Sequence, residues 1–305
     1  MGPTASGKTE LALAIARELP VEIISVDSAL VYCGMDIGTA KPSAAERSQV
    51  PHHLIDILDP TDVYSVGQFR EDALRLMSDI TARNKIPLLV GGTMLYFNSL
   101  QRGLADLPPA DAGIRQQLDR EAAEYGLDYL HKRLQQVDPQ SAARIRHTDP
   151  QRLQRALEVY ELTGTPMSQL IAQTQANLPY RVINIVLAPF QRKVLHARIA
   201  ARYQQMMANG FLDEVRKLLA RGDCHENLPA IRAVGYRQAW AHLHDEYDQA
   251  TFIEKAIIAT RQMAKRQITW LRAQQNAIWF DSGPGLPVFE VMQYLHQQLQ
   301  SDDKA

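Results

Sequence analysis

The chain has 305 residues, of which 46% are hydrophobic and 22% are charged, as in ordinary soluble globular proteins. No apolar run approaches the ~18 residues that cross a bilayer, and the start lacks the basic and then apolar pattern of a secretory signal. We therefore expect a cytoplasmic protein with no membrane contact. Its two cysteines, Cys33 and Cys224, cannot form a disulfide framework. A net charge of −1 gives no overall attraction to nucleic acid, although net charge says little about local fields.

The first element is a phosphate-binding loop with a complete G-x-x-x-x-G-K-T pattern. Its residues are Gly2, Pro3, Thr4, Ala5, Ser6, Gly7, Lys8 and Thr9. In such loops backbone N–H groups enclose a phosphate, the lysine supplies a positive charge and the threonine hydroxyl binds Mg²⁺. A chance glycine-rich turn is the alternative, but residues 10–17 are strong helix formers, and a helix start favours a bound phosphate. Because a strand normally precedes the loop, we interpret Met1 as the last residue of a truncated first strand.

Strands and helices alternate along the rest of the chain. Apolar runs at 21–26 and 86–90 predict strands, and the periodicity of 69–84 predicts a helix. The ranges that follow are helical patterns at about 108–180 and 190–274, strands at 179–187 and 277–280, and a last helix. This alternation predicts an α/β fold, a P-loop NTPase-like parallel sheet flanked by helices. We assign residues 1–107 and 181–305 to its core and 108–180 to an all-helical insertion.

The ends of two predicted strands carry candidate site residues. A P-loop NTPase usually has an acid that holds Mg²⁺ after its second apolar strand, but Gly91, Gly92 and Thr93 follow that strand here. The acid, Asp27, instead ends the earlier strand, at the edge where open α/β sheets bind ligands. Asp27 could alternatively cap a turn, and the Gly-Gly-Thr segment could be an ordinary strand-to-helix turn. The neighbouring phosphate loop favours the functional reading of Asp27.

Three later segments concentrate basic residues. Arg198 and Arg202 lie one helical turn apart, and they either form a solvated face or point to a diphosphate. Residues 261–272 hold four basic residues and no acid, which fits contact with a phosphate backbone or exposed stems over a core. Residues 149–155 begin with an Asp-Pro helix start and bring a glutamine and an arginine together, a pair that suits hydrogen bonding to a base and a phosphate.

Seven ordered motifs resemble those of the tRNA dimethylallyltransferases, also called tRNA isopentenyl transferases, nearly end to end. They are Gly-Pro-Thr-Ala-Ser-Gly-Lys-Thr (2–9), Asp-Ser-Ala-Leu-Val-Tyr (27–32), Met-Asp-Ile-Gly-Thr-Ala-Lys-Pro (35–42), Gly-Gly-Thr-Met-Leu-Tyr (91–96), Asp-Pro-Gln-Arg-Leu-Gln-Arg-Ala-Leu-Glu (149–158), Ile-Arg-Ala-Val-Gly-Tyr-Arg-Gln (231–238) and Thr-Arg-Gln-Met-Ala-Lys-Arg-Gln-Ile-Thr-Trp-Leu-Arg (260–272). The resemblance implies a monomeric enzyme that uses Mg²⁺ and dimethylallyl diphosphate. Its acceptor would be N6 of adenosine 37, beside the anticodon of tRNAs that read codons starting with U.

This resemblance implies a role for individual residues and explains the missing Mg²⁺ acid, because the loop would hold the donor's diphosphate instead of the γ-phosphate of ATP. Asp27 would accept the N6 proton, Thr93 would hold base and donor in line, and Lys8, Arg202 and Mg²⁺ near Thr9 would stabilise the leaving diphosphate. The helical insertion would clamp the anticodon stem. The implied tRNA contacts are Asp27, Ser28, Ala29, Leu30, Thr93, Arg115, Gln151, Arg152, Leu153, Gln154, Arg155, Arg232, Ala233, Val234, Gly235, Tyr236, Arg237, Lys265, Arg266, Gln267, Ile268, Thr269, Trp270, Leu271 and Arg272.

Three alternative functions stay open at this point. A small-molecule P-loop kinase would bind ATP in the loop, but the missing acid speaks against it. An enzyme that prenylates free adenine nucleotides would not need the basic segments at 151–155 and 265–272. An RNA-binding protein with an inactive loop would bind tRNA without turnover.

Overall fold

The computed structural model describes residues 1–174, 178–274 and 276–300, which form two compact units. The first unit contains Met1–Phe97 and Tyr180–Ala305, and the second contains Asn98–Pro179. The strands of the first unit are β1 (Val21–Val26), β2 (His52–His53), β3 (Ile86–Gly91), β4 (Asn184–Ala188) and β5 (Ala277–Asp281). They form two parallel sheets, of order β2-β1-β3 and β4-β5. The predicted α/β fold with parallel strands and flanking helices is confirmed.

Helices follow or cover these strands, as short parallel strands require. The helices of the first unit are α1 (Lys8–Glu18), α2 (Ala44–Arg47), α3 (Val66–Ala82), α4 (Met94–Arg102, which begins in this unit), α10 (Arg192–Ala208), α11 (Phe211–Ala220), α12 (Tyr236–Leu243), α13 (Gln249–Arg272) and α14 (Val288–Gln300). Those of the second unit are α5 (Ala112–Tyr125), α6 (Leu127–Val137), α7 (Pro139–Ala142), α8 (Pro150–Thr163) and α9 (Met167–Ala172). Among the described helices, none combines the length and the apolar character that a bilayer crossing demands.

The backbone of the first two residues lies between the two sheets. The Met1 amine donates to Ile185 O at 2.8 Å, and Leu187 N donates to Met1 O at 2.9 Å. Gly2 N donates to Gly91 O at 3.3 Å, on the side of β3. The phosphate loop therefore starts at the carboxyl ends of β3 and β4, where ligands of open α/β folds bind.

Two apolar cores hold the first unit together. One core joins α1 and α14 to the strands through residues such as Leu11, Ile23 and Val291. The other joins α10, α11, α12 and α13 to the segment after β1, with Tyr32 and Phe211 at its centre. Every residue of β1 is buried, as expected for a strand with neighbours on both sides and helices on both faces.

The second unit is a helical layer with its own core. Leu118, Leu130, Leu134 and Leu153 are almost fully buried in it. Two of its helices begin where the sequence places cap residues: the Asp111 side chain accepts from Ile114 N, and the Asp149 side chain accepts from Arg152 N with Pro150 at the first helical position. These caps satisfy N–H groups that a helix start leaves unpaired.

The structure corrects two details of the predicted elements and adds one strand that the sequence did not predict. The strand placed at 179–187 begins only at Asn184, which pairs with Ala277, the first residue of its partner β5. The helical stretch at 190–274 is divided into four helices, with a break at Gly210, whose φ of 89° is left-handed. Strand β2 has only two residues, too few to give a periodic signal.

Candidate active site

A cavity of about 600 Å³ opens in the first unit beside the phosphate loop. Its wall is formed by the loop, by the carboxyl ends of β1 and β3, and by one side of α10 and of α13. The residues of this wall that carry functional groups include Thr4, Lys8, Thr9, Asp27, Thr93, Arg202, Arg232 and Gln267. The fold thus brings side chains from six segments of the chain into one place.

The phosphate loop curls through two left-handed residues. Ala5 has φ 60° and Gly7 has φ 91°, and α1 begins directly after Gly7 without a side-chain cap. The N–H groups of the first turn of a helix have no partner within the helix, and with the helix dipole they favour an anion. A side chain on Gly2 would lie 2.3 Å from Leu187 O, so only glycine fits there. The geometry of the loop therefore suits a bound anion.

The pKa of Lys8 lies far closer to neutral pH than that of an ordinary lysine. Its Nζ donates to Pro3 O at 2.6 Å. Burial lowers the pKa of Lys8 to about 8, which the attraction of Asp27 partly offsets and the repulsion of Arg202 reinforces. A lysine with such a pKa is partly neutral and partly cationic around pH 8. A bound anion favours the cationic form.

Arg202 is the arginine of α10 that faces the loop. Its Nη1 donates to Thr4 Oγ1 at 3.2 Å. Burial lowers the pKa of Arg202, and the nearby Tyr203 and Asp27 act in the opposite direction. Arg198, one turn earlier, donates instead to the backbone oxygen of Ser282. Of the two arginines that the sequence set side by side, Arg202 therefore lies at the cavity and Arg198 holds the turn after β5.

The register of the sheet brings Asp27 and Thr93 together. Val26 pairs with Gly91, so β1 and β3 end side by side, and Thr93 N donates to Val26 O at 3.2 Å. Ser28 N donates to Thr93 Oγ1 at 3.1 Å, and the Thr93 hydroxyl donates to Ser28 Oγ at 3.5 Å. The second bond is long, so a closer acceptor on a substrate can replace it. Ala29 N donates to Asp27 Oδ1 at 2.9 Å, and no partner among the described residues engages Oδ2.

Two buried hydroxyl groups at the cavity lack partners. Ser6 Oγ in the loop and Ser25 Oγ on β1 have no hydrogen bond within the described parts of the chain, and both residues line the cavity. Buried polar groups are nearly always satisfied, so an exception asks for a water, ion or ligand. Both hydroxyls suit phosphate oxygens or the water shell of a bound ion.

The residues of this wall suit a Mg²⁺ ion that takes few ligands from the protein and the others from a phosphate and water. Within the described ranges, no cluster of three or more His, Cys, Asp or Glu side chains could cage a metal. Mg²⁺ usually keeps several waters and takes one or two protein oxygens together with substrate phosphates. Thr9, at the start of α1, and Asp27 both supply oxygen to the cavity wall, and Ser6 and Ser25 add hydroxyls that lack partners.

The side chains of the implied tRNA segment at 265–272 lie on different faces of helix α13. Lys265, Arg266, Thr269, Trp270 and Arg272 are exposed, and Trp270 keeps 41% of its surface accessible. Ile268 is partly covered and Leu271 is buried in the core. Gln267 turns into the cavity, where Thr4 N donates to its Oε1 at 3.0 Å.

The segment at 232–237 is likewise divided. Arg232 is exposed at the cavity, Ala233 and Val234 line it, and Arg237 is exposed. Gly235 has φ 98°, a backbone conformation that glycine tolerates best. Tyr236 is fully buried and donates its hydroxyl to Glu214. Ser28 is exposed beside Asp27, and Ala29 and Leu30 are partly covered.

In the second unit, internal ion pairs occupy two of the implied tRNA contacts. Arg115 donates to Glu158 at 2.8 Å from Nε, and Arg155 donates to Glu158 at 2.6 Å from Nη1. Burial opposes the charge of Glu158, but the bonds from both arginines and from Asp111 N outweigh it and lower its pKa. Gln151 and Arg152 are exposed, Leu153 is buried, and Gln154 donates to Asp119. These placements leave Gln151 and Arg152 as the exposed polar pair at this helix start, with Arg152 Nε 3.6 Å from the capping Asp149 carboxylate.

Sequence reasoning missed Glu214. Its Oε2 accepts from Asp36 N at 2.8 Å and from Ile37 N at 2.7 Å, and its Oε1 accepts from Gly38 N at 3.1 Å. The carboxylate therefore fixes the loop that lines the cavity at Gly38 and beyond. An acid on the apolar face of α11, between Phe211 and Val215, was the available signal.

Comparisons with known proteins agree on one family. A family model described as IPP transferase matches residues 30–274. A tRNA dimethylallyltransferase of Nitrosococcus oceani is 61% identical over 92% of this chain and 90% of its own, and one of Methylococcus capsulatus is 58% identical over 94% and 92%. Among solved structures, the full-length tRNA isopentenylpyrophosphate transferase of Bacillus halodurans aligns with a TM-score of 0.73 at 36% identity, over 99% of this chain and 96% of its own. A eukaryotic dimethylallyltransferase acting on tRNA aligns with a TM-score of 0.80 at 25% identity, over 92% and 72%.

Proposed function

Because the chain belongs to the IPP transferase family, we propose that it transfers a dimethylallyl group from dimethylallyl diphosphate to N6 of adenosine 37 in tRNA, acting as a monomer. One observation carries the proposal: a phosphate loop with Lys8 and Arg202 faces Asp27 and Thr93 across a single cavity. A donor diphosphate and an acceptor base can therefore meet between a cationic wall and a carboxylate.

The transfer is a substitution at the first carbon of the allylic group. The N6–carbon bond forms while the carbon–oxygen bond to diphosphate breaks, and the electron pair of that bond leaves with diphosphate. The N6 amine is a weak nucleophile because its lone pair is shared with the ring. Asp27 is suited to take the N6 proton, since its Oδ1 is held by Ala29 N and its Oδ2 has no partner among the described residues.

The leaving diphosphate develops negative charge on the oxygen that the carbon leaves. Lys8, the N–H groups of the loop and Arg202 belong to one cavity wall and would surround this charge. Preorganised charges of this kind are the strongest means of stabilising a transition state. Mg²⁺, held by Thr9 and the diphosphate, would act as a Lewis acid on the same oxygens. Thr93 would turn its hydroxyl proton from the long bond to Ser28 Oγ toward the base or the donor.

The acceptor base must leave its stack to reach Asp27. Enzymes that modify a base extrude it into a pocket, and the unpaired nucleotides of an RNA loop allow this at low cost. Arg232 at the cavity and the exposed Lys265 and Arg266 of α13 offer cations for the surrounding phosphates. We assign the exposed Gln151 and Arg152 of the second unit to the anticodon stem.

Mass spectrometry of tRNA tests the proposal directly. Incubation with dimethylallyl diphosphate and Mg²⁺ should add one dimethylallyl group to adenosine 37, and omission of the donor should abolish the product. AMP in place of tRNA should remain unmodified, and ATP with small acceptors should give no phosphorylated product. Prenylated AMP without prenylated tRNA, a phosphorylated product, or binding of tRNA without turnover would each contradict the proposal.

A further inference from the structure

Gln267 does not share the environment of its neighbours on α13. Lys265 and Arg266 are exposed, whereas Gln267 is partly buried and lines the cavity. Its side chain spans from the phosphate loop to the turn after β3. A residue in this position can act on the reaction without touching RNA.

The amide of Gln267 makes two different hydrogen bonds. Its Oε1 accepts from Thr4 N at 3.0 Å, and its Nε2 donates to Gly92 O at 2.9 Å. A primary amide is one of the few side chains that accept and donate at the same time. A side chain on Gly92 would lie 2.5 Å from Nε2, so the turn fits closely against this amide.

Each partner of Gln267 belongs to one half of the proposed reaction. Thr4 lies in the phosphate loop, and its hydroxyl accepts from Arg202. Gly92 directly precedes Thr93, whose hydroxyl faces the acceptor side beside Asp27. The amide therefore ties the donor side of the cavity to the acceptor side.

Building on the transfer reaction proposed above, we propose that Gln267 is a positioning residue that fixes the phosphate loop and the Gly91–Thr93 turn at the spacing the transfer needs. A displacement of about 1 Å between reacting groups can cost a hundredfold in rate. Loss of the amide should therefore act on donor kinetics, and tRNA affinity should be preserved. A direct RNA contact at Gln267, which the resemblance implied, would give the opposite pattern.

The first test compares Gln267→Met with Gln262→Met. Methionine keeps the length of the side chain and removes both hydrogen bonds, and Gln262 is an exposed glutamine on the same helix. In Gln267→Met we expect kcat/KM for dimethylallyl diphosphate to fall about 10- to 100-fold, with the Kd for tRNA changed less than about twofold. Gln262→Met should match the wild type in both. Weaker tRNA binding with unchanged donor kinetics, or equal behaviour of the two variants, would overturn the proposal.

The second test uses Gln267→Glu at about pH 7.5. A glutamate carboxyl with its ordinary pKa of about 4.3 is ionised there, so this variant still accepts from Thr4 N but cannot donate to Gly92 O. We expect kcat/KM for dimethylallyl diphosphate to fall at least about fivefold (about 1 kcal/mol, the net worth of one hydrogen bond), with the Kd for tRNA changed less than about twofold. Wild-type donor kinetics in Gln267→Glu would overturn the proposal, even where Gln267→Met fails to fold. Absence of prenylated tRNA with the wild type would instead contradict the transferase assignment, and calorimetric binding of dimethylallyl diphosphate would still report on Gln267.

Discussion

At the scale of single residues, two ionisable groups divide the proposed chemistry between them. Asp27 ends β1 with one oxygen held and the other free of partners within the described ranges, so it is set up to accept a proton. Lys8 sits in the loop with a pKa lowered to about 8, chiefly by burial. In the proposed reaction the Asp27 carboxylate serves the acceptor base and the Lys8 ammonium serves the donor diphosphate.

Replacement of Asp27 should separate chemistry from binding. We expect Asp27→Asn to reduce kcat by about 10²-fold or more, because an amide cannot take the N6 proton and general-base catalysis contributes that much. The Kd for tRNA should change little, since the amide keeps the shape and the contact with Ala29 N. Single-turnover rates and filter binding measure the two effects, with the exposed Asp213→Asn as control. A near-normal kcat would remove Asp27 from the role of base.

The lowered pKa of Lys8 predicts an alkaline limit to donor capture. Lysine is cationic below its pKa, so the charge that attracts diphosphate is present below about pH 8 and is lost as the pH rises through that value. We expect kcat/KM for dimethylallyl diphosphate, which reports the free enzyme, to fall above about pH 8. Lys8→Arg should lower the rate but move this limb to higher pH. An unchanged limb in the variant would assign it to another group.

At the scale of elements, the cavity depends on contacts between segments far apart in sequence. Glu214 on α11 accepts three backbone N–H groups of residues 36–38 and the hydroxyl of Tyr236. One buried carboxylate thus joins the segment after β1 to the start of α12. A buried acid with this many donors is a structural anchor, since each donor would otherwise be unsatisfied.

Removal of this anchor should loosen the cavity wall. Glu214→Ala leaves three partly buried backbone donors and the buried Tyr236 hydroxyl without their acceptor, and a fully buried orphan alone costs about 1–3 kcal/mol. We expect a loss of at least about 2 kcal/mol in unfolding free energy, together with weaker donor binding because Gly38 and Thr39 line the cavity. The neighbouring exposed Asp213→Ala should cost no more than about 0.5 kcal/mol. Chemical denaturation compares them, and equal midpoints would show that the loop does not need Glu214.

The sequence was most informative where local chemistry decides the structure. The span of β1 was predicted without error because a buried parallel strand is a continuous apolar run, and the helix after Gly7 follows from its helix formers. The approach of Asp27 to Thr93 required only that two parallel strands end at one edge. The strand at 179–187 was placed too early, because the start of a strand depends on its partner and that partner lies about ninety residues later.

Side-chain direction was harder to predict than position. The motif at 265–272 reads as one basic segment, yet helical geometry turns Gln267 into the cavity and Lys265 to the surface. Arg155 suits RNA by residue type, but Glu158 lies one turn away and is fully buried, so it binds the guanidinium. Such choices depend on which neighbour folding supplies, and one sequence does not encode that locally.

At the scale of the whole molecule, a net charge of −1 conceals an uneven distribution. Two buried acids are neutralised by ion pairs within the protein. Glu22 pairs with Arg83 and Lys85, and Glu158 pairs with Arg115. Lys265 and Arg266 stay exposed on a helix face, with no acidic partner among the described residues. The electrostatic potential at this exposed face of α13 is therefore more positive than the net charge of the chain indicates.

This distribution predicts which lysines carry the salt dependence of tRNA binding. Each phosphate that a protein cation neutralises releases counterions and adds about one unit to the slope of log Kd against log salt. We expect Lys265→Ala to lower that slope by about one unit for every tRNA sequence, with the thermal midpoint unchanged because the side chain is exposed. Lys217→Ala on α11, an equally exposed lysine away from the cavity wall, should leave the slope as it is. Filter binding between low and physiological salt gives both slopes. If the two variants have the same slope, Lys265 on α13 does not contact an RNA phosphate. The salt dependence would then come from the exposed cations of the second unit, with Arg152 as the first candidate to replace.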